Sequence, residues 1–277
     1  MKHIEGRFEA VRDLDVYYQA WLPDGNVKAV LLLVHGLGEH SGRYMNLVNH
    51  FVPLGYAIYG LDHIGHGKSD GAREFVERFD DYTDTLSTYL SMVKEWQRDK
   101  PLFLLGHSMG GTIAAYYLLD HAEDFQGAIL SAPAVQVSVS QATITLGRVL
   151  SRIMPKMGLM ALDVNGISRD PEVVKAYVND PLVFHEKTPA RLAAELLSAM
   201  MRITVEAGKI SLPIIIVQGA ADTIVDPSGA QMLFDEVSSE DKTLKMYEDL
   251  YHEVFNEPER DRVLKDVEDW LESQLTG

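Results

Sequence analysis

A serine occupies the centre of the motif Gly106-His107-Ser108-Met109-Gly110. The apolar residues 102–105 before the motif predict a short buried strand, and residues 112–119 after it predict a buried helix. A strand followed by Gly-x-Ser-x-Gly and a helix is typical of a nucleophile elbow, a strained turn that holds a serine hydroxyl above a sheet edge. The glycines leave room for the turn, and the helix N-terminus favours an oxyanion beside the serine. The motif therefore predicts a nucleophilic Ser108, the alternative being a serine in an ordinary tight turn.

The base that would activate Ser108 is predicted from chain order. A serine hydroxyl is a weak nucleophile until a histidine takes its proton, and a carboxylate must hold that histidine in one tautomer. In chains with this elbow, the acid and then the histidine follow the serine. His121 falls at the end of the predicted helix, His185 falls where no strand precedes it, and His252 follows the last predicted strand. We therefore predict His252 as the base.

The acid and the oxyanion hole are predicted from loops that follow strands. Asp222 comes directly after an apolar strand, which makes it the predicted acid, with Asp226 as the alternative. Two backbone N–H groups should stabilise the oxyanion. One belongs to Met109, the residue after the nucleophile, and the other to Leu37, in the loop after an earlier strand.

The sequence gives weaker support for a metal site, a dinucleotide site or a thiol nucleophile. His63 and His66 lie near Asp62 in a glycine-rich stretch, which we interpret as a turn braced by histidines, because a metal site needs more convergent ligands. Gly36-x-Gly38 lacks the rest of a dinucleotide fingerprint. The absence of cysteine excludes a thiol nucleophile and disulfides. We therefore expect neither a metal nor a cofactor.

Length, composition and charge bound the class of protein. With 277 residues, 46% of them hydrophobic, the chain can form one large α/β domain with an insertion. The net charge of −16 argues against nucleic acid as a partner. Residues 1–7 resemble no signal peptide, and no stretch approaches the roughly 18–20 apolar residues of a membrane span. These features predict a cytoplasmic protein, and nothing in the sequence predicts an oligomeric state.

Strands alternate with helices over most of the chain, which predicts βαβ units and a mostly parallel sheet. Residues 8–11 and 16–21 instead predict an antiparallel hairpin. In a parallel sheet, the loops after the strands meet at one edge, where sites form. The other predicted strands are 29–34, 56–61, 102–105, 127–130, 212–219 and 242–247, and the predicted helices are 44–54, 79–97, 112–119 and 262–274.

The alternation stops between residues 134 and 210, where the apolar spacing is helical. We predict that this segment is a cap over the strand ends, and that residues 1–133 and 211–277 form the core. The segment has nine basic and seven acidic residues, a net charge of +2, so the remainder carries −18. A slightly basic segment rich in Met and Leu suits transient contact with a lipid surface, the alternative being helices that merely pack on the core.

Several stretches resemble the monoacylglycerol lipases of the α/β-hydrolase superfamily. They are HGLGEHSGRY (35–44), DHIGHGKSDG (62–71), GHSMGG (106–111), SRDP (168–171), NDPL (179–182), GAAD (219–222) and DKTLKMY (241–247) leading to Tyr251-His252. The resemblance implies the α/β-hydrolase fold, with a mostly parallel twisted sheet flanked by helices and a helical cap inserted after the sixth strand.

The same resemblance implies an activity. A monoacylglycerol or a similar lipid ester would be cleaved to glycerol and a fatty acid, with Ser108, Asp222 and His252 as the triad. The cap would form an apolar tunnel for the acyl chain and a small polar pocket for glycerol. Arg43 and His107 flank the site and are predicted either to contact the glycerol hydroxyls or to support the residues that do.

Several functions share these residues. A lysophospholipase, a broader carboxylesterase or an aminopeptidase would use the same triad. Dehalogenase and epoxide hydrolase chemistry is disfavoured, because both need a carboxylate where Ser108 stands. A binding protein without activity on the same fold is the alternative from another class. Such proteins usually lack a member of the triad, and none is missing here.

Overall fold

The computed structural model describes residues 1–136 and 140–276, so residues 137–139 of the predicted cap lie outside the described residues. Eight strands form one sheet in the order β1-β2-β4-β3-β5-β6-β9-β10. The pairs β1/β2 and β2/β4 are antiparallel, and the remaining pairs are parallel. The strands are β1 Lys2–Glu9, β2 Asp15–Leu22, β3 Ala29–Val34, β4 Tyr56–Leu61, β5 Leu102–His107, β6 Gly127–Ser131, β7 Gly158–Met160, β8 Thr188–Pro189, β9 Ile214–Gly219 and β10 Lys242–Tyr247. This confirms the predicted mostly parallel sheet.

Helices cover both faces of the sheet. Leu32 on β3 belongs to one core cluster, with side chains of α2, α3 and α7, whereas its neighbour Leu31 belongs to a second cluster, with α1 and α8. Successive side chains of a strand point to opposite faces, so the apolar run of β3 supplies both cores. The helices are α1 Met45–Phe51, α2 Asp80–Trp96, α3 Met109–His121, α4 Gln141–Ile153, α5 Pro171–Asn179, α6 Ala190–Glu206, α7 Ser228–Glu236 and α8 Arg260–Leu275.

The first strand differs from its prediction. The expected strand at 8–11 begins at Lys2 and ends at Glu9, and residues 11–13 form a short 3-10 turn. Arg12 and Asp13 in this turn adopt positive φ angles of 60° and 56°. β1 is an edge strand with mostly exposed side chains. Backbone hydrogen bonds to β2 along its whole length hold this strand in place, so it needs few apolar side chains. Its polar sequence therefore gives no apolar pattern from which its start could be predicted.

The segment between β6 and β9 contains α4, α5 and α6, which agrees with a helical insertion after the sixth strand. It also contains β7 and β8, a short antiparallel pair that the sequence did not predict. Helix α6 packs against both α4 and α3, so this segment rests on the core through α6. The division into core and cap at residues 134 and 210 stays a prediction.

Among the described residues, no helix has both the length and the apolar character needed to cross a bilayer. The cytoplasmic location inferred from the sequence stays a prediction.

Candidate active site

Ser108 lies in a strained turn between β5 and α3. Its φ and ψ are 55° and −120°, outside the regions that residues with a side chain prefer. The turn needs close backbone contacts, because a Cβ atom added at Gly110 would collide with the carbonyl oxygen of Val34. A strained conformation persists only where packing enforces it. The local sequence thus folds so that the Ser108 hydroxyl projects from the carboxyl end of the sheet.

The structure brings Ser108, His252 and Asp222 together. His252 Nε2 lies 2.8 Å from Ser108 Oγ, and His252 Nδ1 lies 2.7 Å from Asp222 Oδ2. Ser108 follows β5, Asp222 follows β9 and His252 follows β10. The carboxyl ends of these parallel strands place residues up to 144 positions apart within hydrogen-bond distance. A proton can therefore pass from the hydroxyl to an imidazole that a carboxylate orients.

Asp222 is held in place by four donors. Its Oδ1 accepts hydrogen bonds from the N–H groups of Ile224 and Val225, at 2.8 and 3.0 Å, and its Oδ2 accepts one from Gln218 Nε2 in addition to His252. Burial acts to raise the pKa of Asp222, but these hydrogen bonds outweigh it and the pKa is lowered. The carboxylate is therefore ionised when it faces His252.

The alternative acid, Asp226, has a different role in the structure. Its Oδ1 accepts a hydrogen bond from the N–H of Ser228 at 2.9 Å, at the start of α7. Asp226 lines the cavity above Ser108, but the oxygen that His252 contacts belongs to Asp222. The geometry thus favours Asp222 over Asp226 as the acid.

The two predicted oxyanion donors lie beside Ser108. Leu37 and Met109 both line the cavity above it. Met109 is the first residue of α3, so no carbonyl of the helix precedes it to accept its N–H. Gly36 brings the Leu37 loop close, since a Cβ atom there would lie 3.3 Å from Ser108 Cβ. The oxyanion hole itself stays a prediction.

A cavity of about 650 Å³ lies above Ser108, between the strand ends and the segment that joins β6 to β9. Its walls are mainly apolar, and they include Leu162, Leu196 and Met200 from that segment. An apolar cavity with a few polar groups at one end suits a ligand with a long hydrocarbon part. Such a ligand could place a reactive group at Ser108.

A side recess adjoins this cavity and has a volume of about 20 Å³. Leu37, Leu162 and Tyr177 line both spaces. The recess is lined by Leu37, Glu74, Leu162, Val164, Tyr177, Phe184, His185, Glu186 and Thr188. Its size gives room for about one water molecule or one hydroxyl group.

Arg43 lies behind the cavity wall. Its guanidinium contacts Glu39 Oε2 at 2.6 Å and both carboxylate oxygens of Glu253 at 2.7 and 2.9 Å, and it lies 4.5 Å from the ring centroid of Tyr177. Arg43 itself does not line the cavity, whereas Glu39, Glu253 and Tyr177 do. The structure thus favours a supporting role for Arg43 over direct contact with a substrate.

Sequence reasoning missed the two glutamates that hold Arg43. Glu39 Oε1 also accepts hydrogen bonds from the N–H of Gly36 and the hydroxyl of Tyr44, at 2.7 and 2.6 Å, which fixes the Leu37 loop. Burial acts to raise the pKa of Glu39, but Arg43 and these donors lower it overall. The only signal in the sequence was position, because Glu253 directly follows His252.

His107 does line the cavity. Its Nδ1 lies 3.1 Å from Ser131 Oγ, and its ring centroid lies 4.8 Å from that of His252. Burial lowers the pKa of His107 to about 4, and His252 adds to this. His107 is therefore a neutral neighbour of His252 at pH 7, and its contact with substrate stays a prediction.

The histidines of the glycine-rich stretch, His63 and His66, are buried and contact backbone oxygens. His63 Nε2 contacts the backbone oxygen of His35 at 3.1 Å, and His66 Nδ1 contacts that of Ile64 at 3.0 Å. In the part of the chain that the structure describes, no group of three or more His, Cys, Asp or Glu is arranged to hold a metal ion.

Comparison with known proteins identifies the family to which the chain belongs. The family model described as serine aminopeptidase, S33, matches residues 25–259. The chain is 37% identical over 273 residues to a monoacylglycerol lipase of Mycolicibacterium smegmatis, with 98% of each chain covered. It is 35% identical over 268 residues to the human monoglyceride lipase, covering 95% of this chain and 88% of the relative. A crystal structure of the Paleococcus ferrophilus monoacylglycerol lipase matches with a TM-score of 0.83 and 31% identity, covering 99% of this chain and 100% of the other.

Proposed function

Since the chain belongs to the serine aminopeptidase S33 family, we propose that it is a serine hydrolase that cleaves monoacylglycerols to glycerol and a free fatty acid. The observation that carries this proposal is the chain of hydrogen bonds from Ser108 through His252 to Asp222 at the floor of an apolar cavity. Relatives that match nearly the full chain are monoacylglycerol lipases, which supports the substrate. The chemistry is that of a carboxylic ester hydrolase.

The reaction follows from the positions of the three side chains. His252 Nε2 takes the proton of Ser108 as Oγ attacks the ester carbonyl, while Asp222 stabilises the imidazolium. The N–H groups of Leu37 and Met109 stabilise the oxyanion. When the tetrahedral intermediate collapses, His252 gives its proton to the glycerol oxygen and an acyl-enzyme on Ser108 remains. Water, activated by His252, then attacks the acyl carbonyl and releases the fatty acid. No step requires a cofactor.

The cavity and the recess suit different parts of the substrate. The apolar walls suit the acyl chain, because each buried CH₂ group contributes about 0.8 kcal/mol. The polar side recess adjoins the cavity at Leu37, so an alcohol bound on that side would lie next to the oxyanion donors. This arrangement supports an acyl site along the apolar walls and a polar contact for the alcohol at the recess.

We also propose that helix α4 contacts lipid surfaces. Leu146, Val149 and Ile153 lie on one face of α4 and are exposed, Ile153 by 73%. Exposed apolar side chains at helical spacing with Arg148 and Arg152 nearby are typical of interfacial helices. Met160 is exposed and also lines the cavity, so the cavity opens at the surface of the same segment. A substrate could thus pass from a lipid surface to Ser108.

The test compares substrates with one catalytic variant. We expect the purified chain to hydrolyse 1-oleoylglycerol faster than oleoyl-lysophosphatidylcholine, a p-nitrophenyl ester or a proline amide. A fluorophosphonate probe should label the wild type at Ser108, and Ser108→Ala should lose both labelling and turnover. A faster rate on the lysophospholipid or the amide would overturn the assignment of a monoacylglycerol as the substrate. An unlabelled wild type would favour a binding protein.

A further inference from the structure

Glu74 is a buried carboxyl group without a basic partner. It lies between β4 and α2, is 2% exposed and has a positive φ of 49°. Among the described residues, no Lys, Arg or His lies within ion-pair distance of it. Burying a carboxyl group costs free energy unless its oxygens are hydrogen-bonded, so its partners decide its role.

Only one of its two oxygens has a partner among the described residues. Oε2 accepts a hydrogen bond from the hydroxyl of Thr188, on β8, at 2.8 Å. Oε1 makes no hydrogen bond within the described chain, and Glu74 lines the side recess. Oε1 is not among the fully enclosed side-chain atoms that lack a partner, so it is accessible from the recess. It can therefore accept a hydrogen bond from a donor outside the chain.

Oε1 lies next to the loop that carries a proposed oxyanion donor. A Cβ atom added at Gly38 would lie 2.9 Å from Glu74 Oε1, and one added at Gly36 would lie 3.3 Å from Ser108 Cβ. The two glycines flank Leu37, so one short loop touches both the nucleophile and Glu74. Gly38 has a φ of +74°, which a residue with a side chain would rarely adopt.

We propose that Glu74 is a specificity-determining residue, whose free carboxylate oxygen accepts a hydrogen bond from a hydroxyl group of the leaving alcohol. The inference rests on the proposed function, because it assumes an ester of a polyol. The volume of the recess, about 20 Å³, admits one hydroxyl group but not a whole glycerol molecule. The ligand class is thus an ester whose alcohol carries a second hydroxyl close to the ester oxygen.

The charge of Glu74 adds a pH dependence to this recognition. Burial raises the pKa of Glu74 to about 7, while the hydrogen bond from Thr188 opposes the rise. The titratable groups that face it are Tyr82 from α2, Tyr177 from α5, and His185 and Glu186 from the segment before β8. A carboxylate accepts a stronger hydrogen bond than a neutral carboxyl group. Preference for the polyol ester should therefore increase as the pH rises through about 7.

The experiment measures the ratio of kcat/KM for 1-oleoylglycerol to kcat/KM for methyl oleate. Both esters use the same triad and the same acyl chain, so effects of pH on the shared chemistry and on the fraction of folded enzyme cancel in the ratio. We expect Glu74→Leu to lower the ratio by roughly tenfold or more, because it removes a hydrogen bond to a charged group. Glu77→Leu, at an exposed position in the same loop, is the matched control and should keep the wild-type ratio.

Measuring the ratio between pH 5.5 and 8.5 tests the role of the charge. The wild-type ratio should rise through about pH 7, whereas Glu74→Gln, of similar shape but without a charge, should give a flat ratio. Imidazoles also titrate in this range, so His185→Asn is included and should keep the wild-type rise. A rise that persists in Glu74→Gln and disappears in His185→Asn would overturn the assignment.

The two proposals fail in different ways. A wild-type enzyme that treats both esters alike at every pH would overturn the proposed function and this inference together. A wild-type preference that survives in Glu74→Leu would overturn only this inference.

Discussion

At the scale of single residues, Asp222 shows how one side chain fixes another. It accepts hydrogen bonds from two backbone N–H groups and Gln218, which aim its remaining lone pair at His252. In the proposed mechanism, the imidazole is held with Nδ1 protonated and Nε2 free to accept the proton of Ser108. The proposed role of Asp222 is therefore to fix the tautomer and orientation of His252, and its lowered pKa keeps it ionised.

Asp222→Asn should lower kcat by about 10⁴-fold, because an amide can donate to the imidazole and favour the wrong tautomer. The measurement is initial-rate kinetics on a water-soluble ester, with circular dichroism to verify the fold. Asp226→Asn is the matched control and should keep nearly the wild-type rate. A large loss in the control and none in Asp222→Asn would reverse the assignment of the acid.

Arg43→Ala should reduce the free energy of unfolding at pH 7 by about 3–5 kcal/mol, because it leaves two buried carboxylates unpaired. Urea unfolding provides the measurement. Arg78→Ala is the control. Arg78 is itself exposed, and its buried partner Asp81 keeps the ion pair with Arg12, so the variant should cost at most about 1 kcal/mol. Equal losses in the two variants would contradict the supporting role of Arg43.

The effect of Arg43→Ala should also depend on pH. The folded-state pKa of Glu39 is lowered below its ordinary value of 4.5, so its ionised form stabilises the fold above about pH 4.5 and this contribution is lost as the pH falls. Without Arg43, burial would raise that pKa. The difference between wild type and variant should therefore shrink as the pH falls from 7 towards 4.5. A difference that stays constant would exclude the carboxylates as its cause.

At the scale of elements, helix α4 has two faces with different roles. Ile144 is buried, whereas Leu146, Val149 and Ile153 are exposed. The helix packs on α6, so its buried face is occupied and its outer face is available to a lipid surface. The capping of α4 is local, because Ser140 accepts a hydrogen bond from the N–H of Thr143.

Val149→Glu should weaken binding to phosphatidylcholine vesicles by roughly tenfold or more, since it replaces an apolar contact with a charge. Val205→Glu, on α6, is the matched control. Val205 is 84% exposed against 47% for Val149, but it lies outside the exposed face of α4 and should not affect binding. Vesicle sedimentation measures both. Equal binding by wild type and Val149→Glu would rule out the α4 face as the contact.

At the scale of the whole molecule, the sheet brings together residues that lie far apart in the sequence. Strands β5, β9 and β10 end at the same edge, so the residues that follow them converge. The net charge is also divided, with +2 in residues 134–210 and −18 elsewhere. The segment that covers the site thus has the charge suited to a lipid surface, while the body remains strongly acidic.

The sequence by itself determined the features with a local physical cause. Continuous apolar runs predicted most of the parallel strands, with β3 and β4 at their observed bounds. The glycines around Ser108 marked its turn, because only a small residue fits where backbones touch. Chain order then selected Asp222 and His252, which the structure places in contact with each other and with Ser108.

Only the tertiary structure decided the groups that depend on distant partners. Arg43 meets Glu253 across 210 residues, and Glu74 meets Thr188 across 114. Neither contact leaves a periodic or steric signal in the local sequence, because a charged residue at a surface and one in a buried network look alike there. The burial of Arg43 and Glu74 and the partners of both residues are set only in the folded chain. The segment between β6 and β9 supplies Thr188, the partner of Glu74, and leaves the other oxygen of Glu74 free.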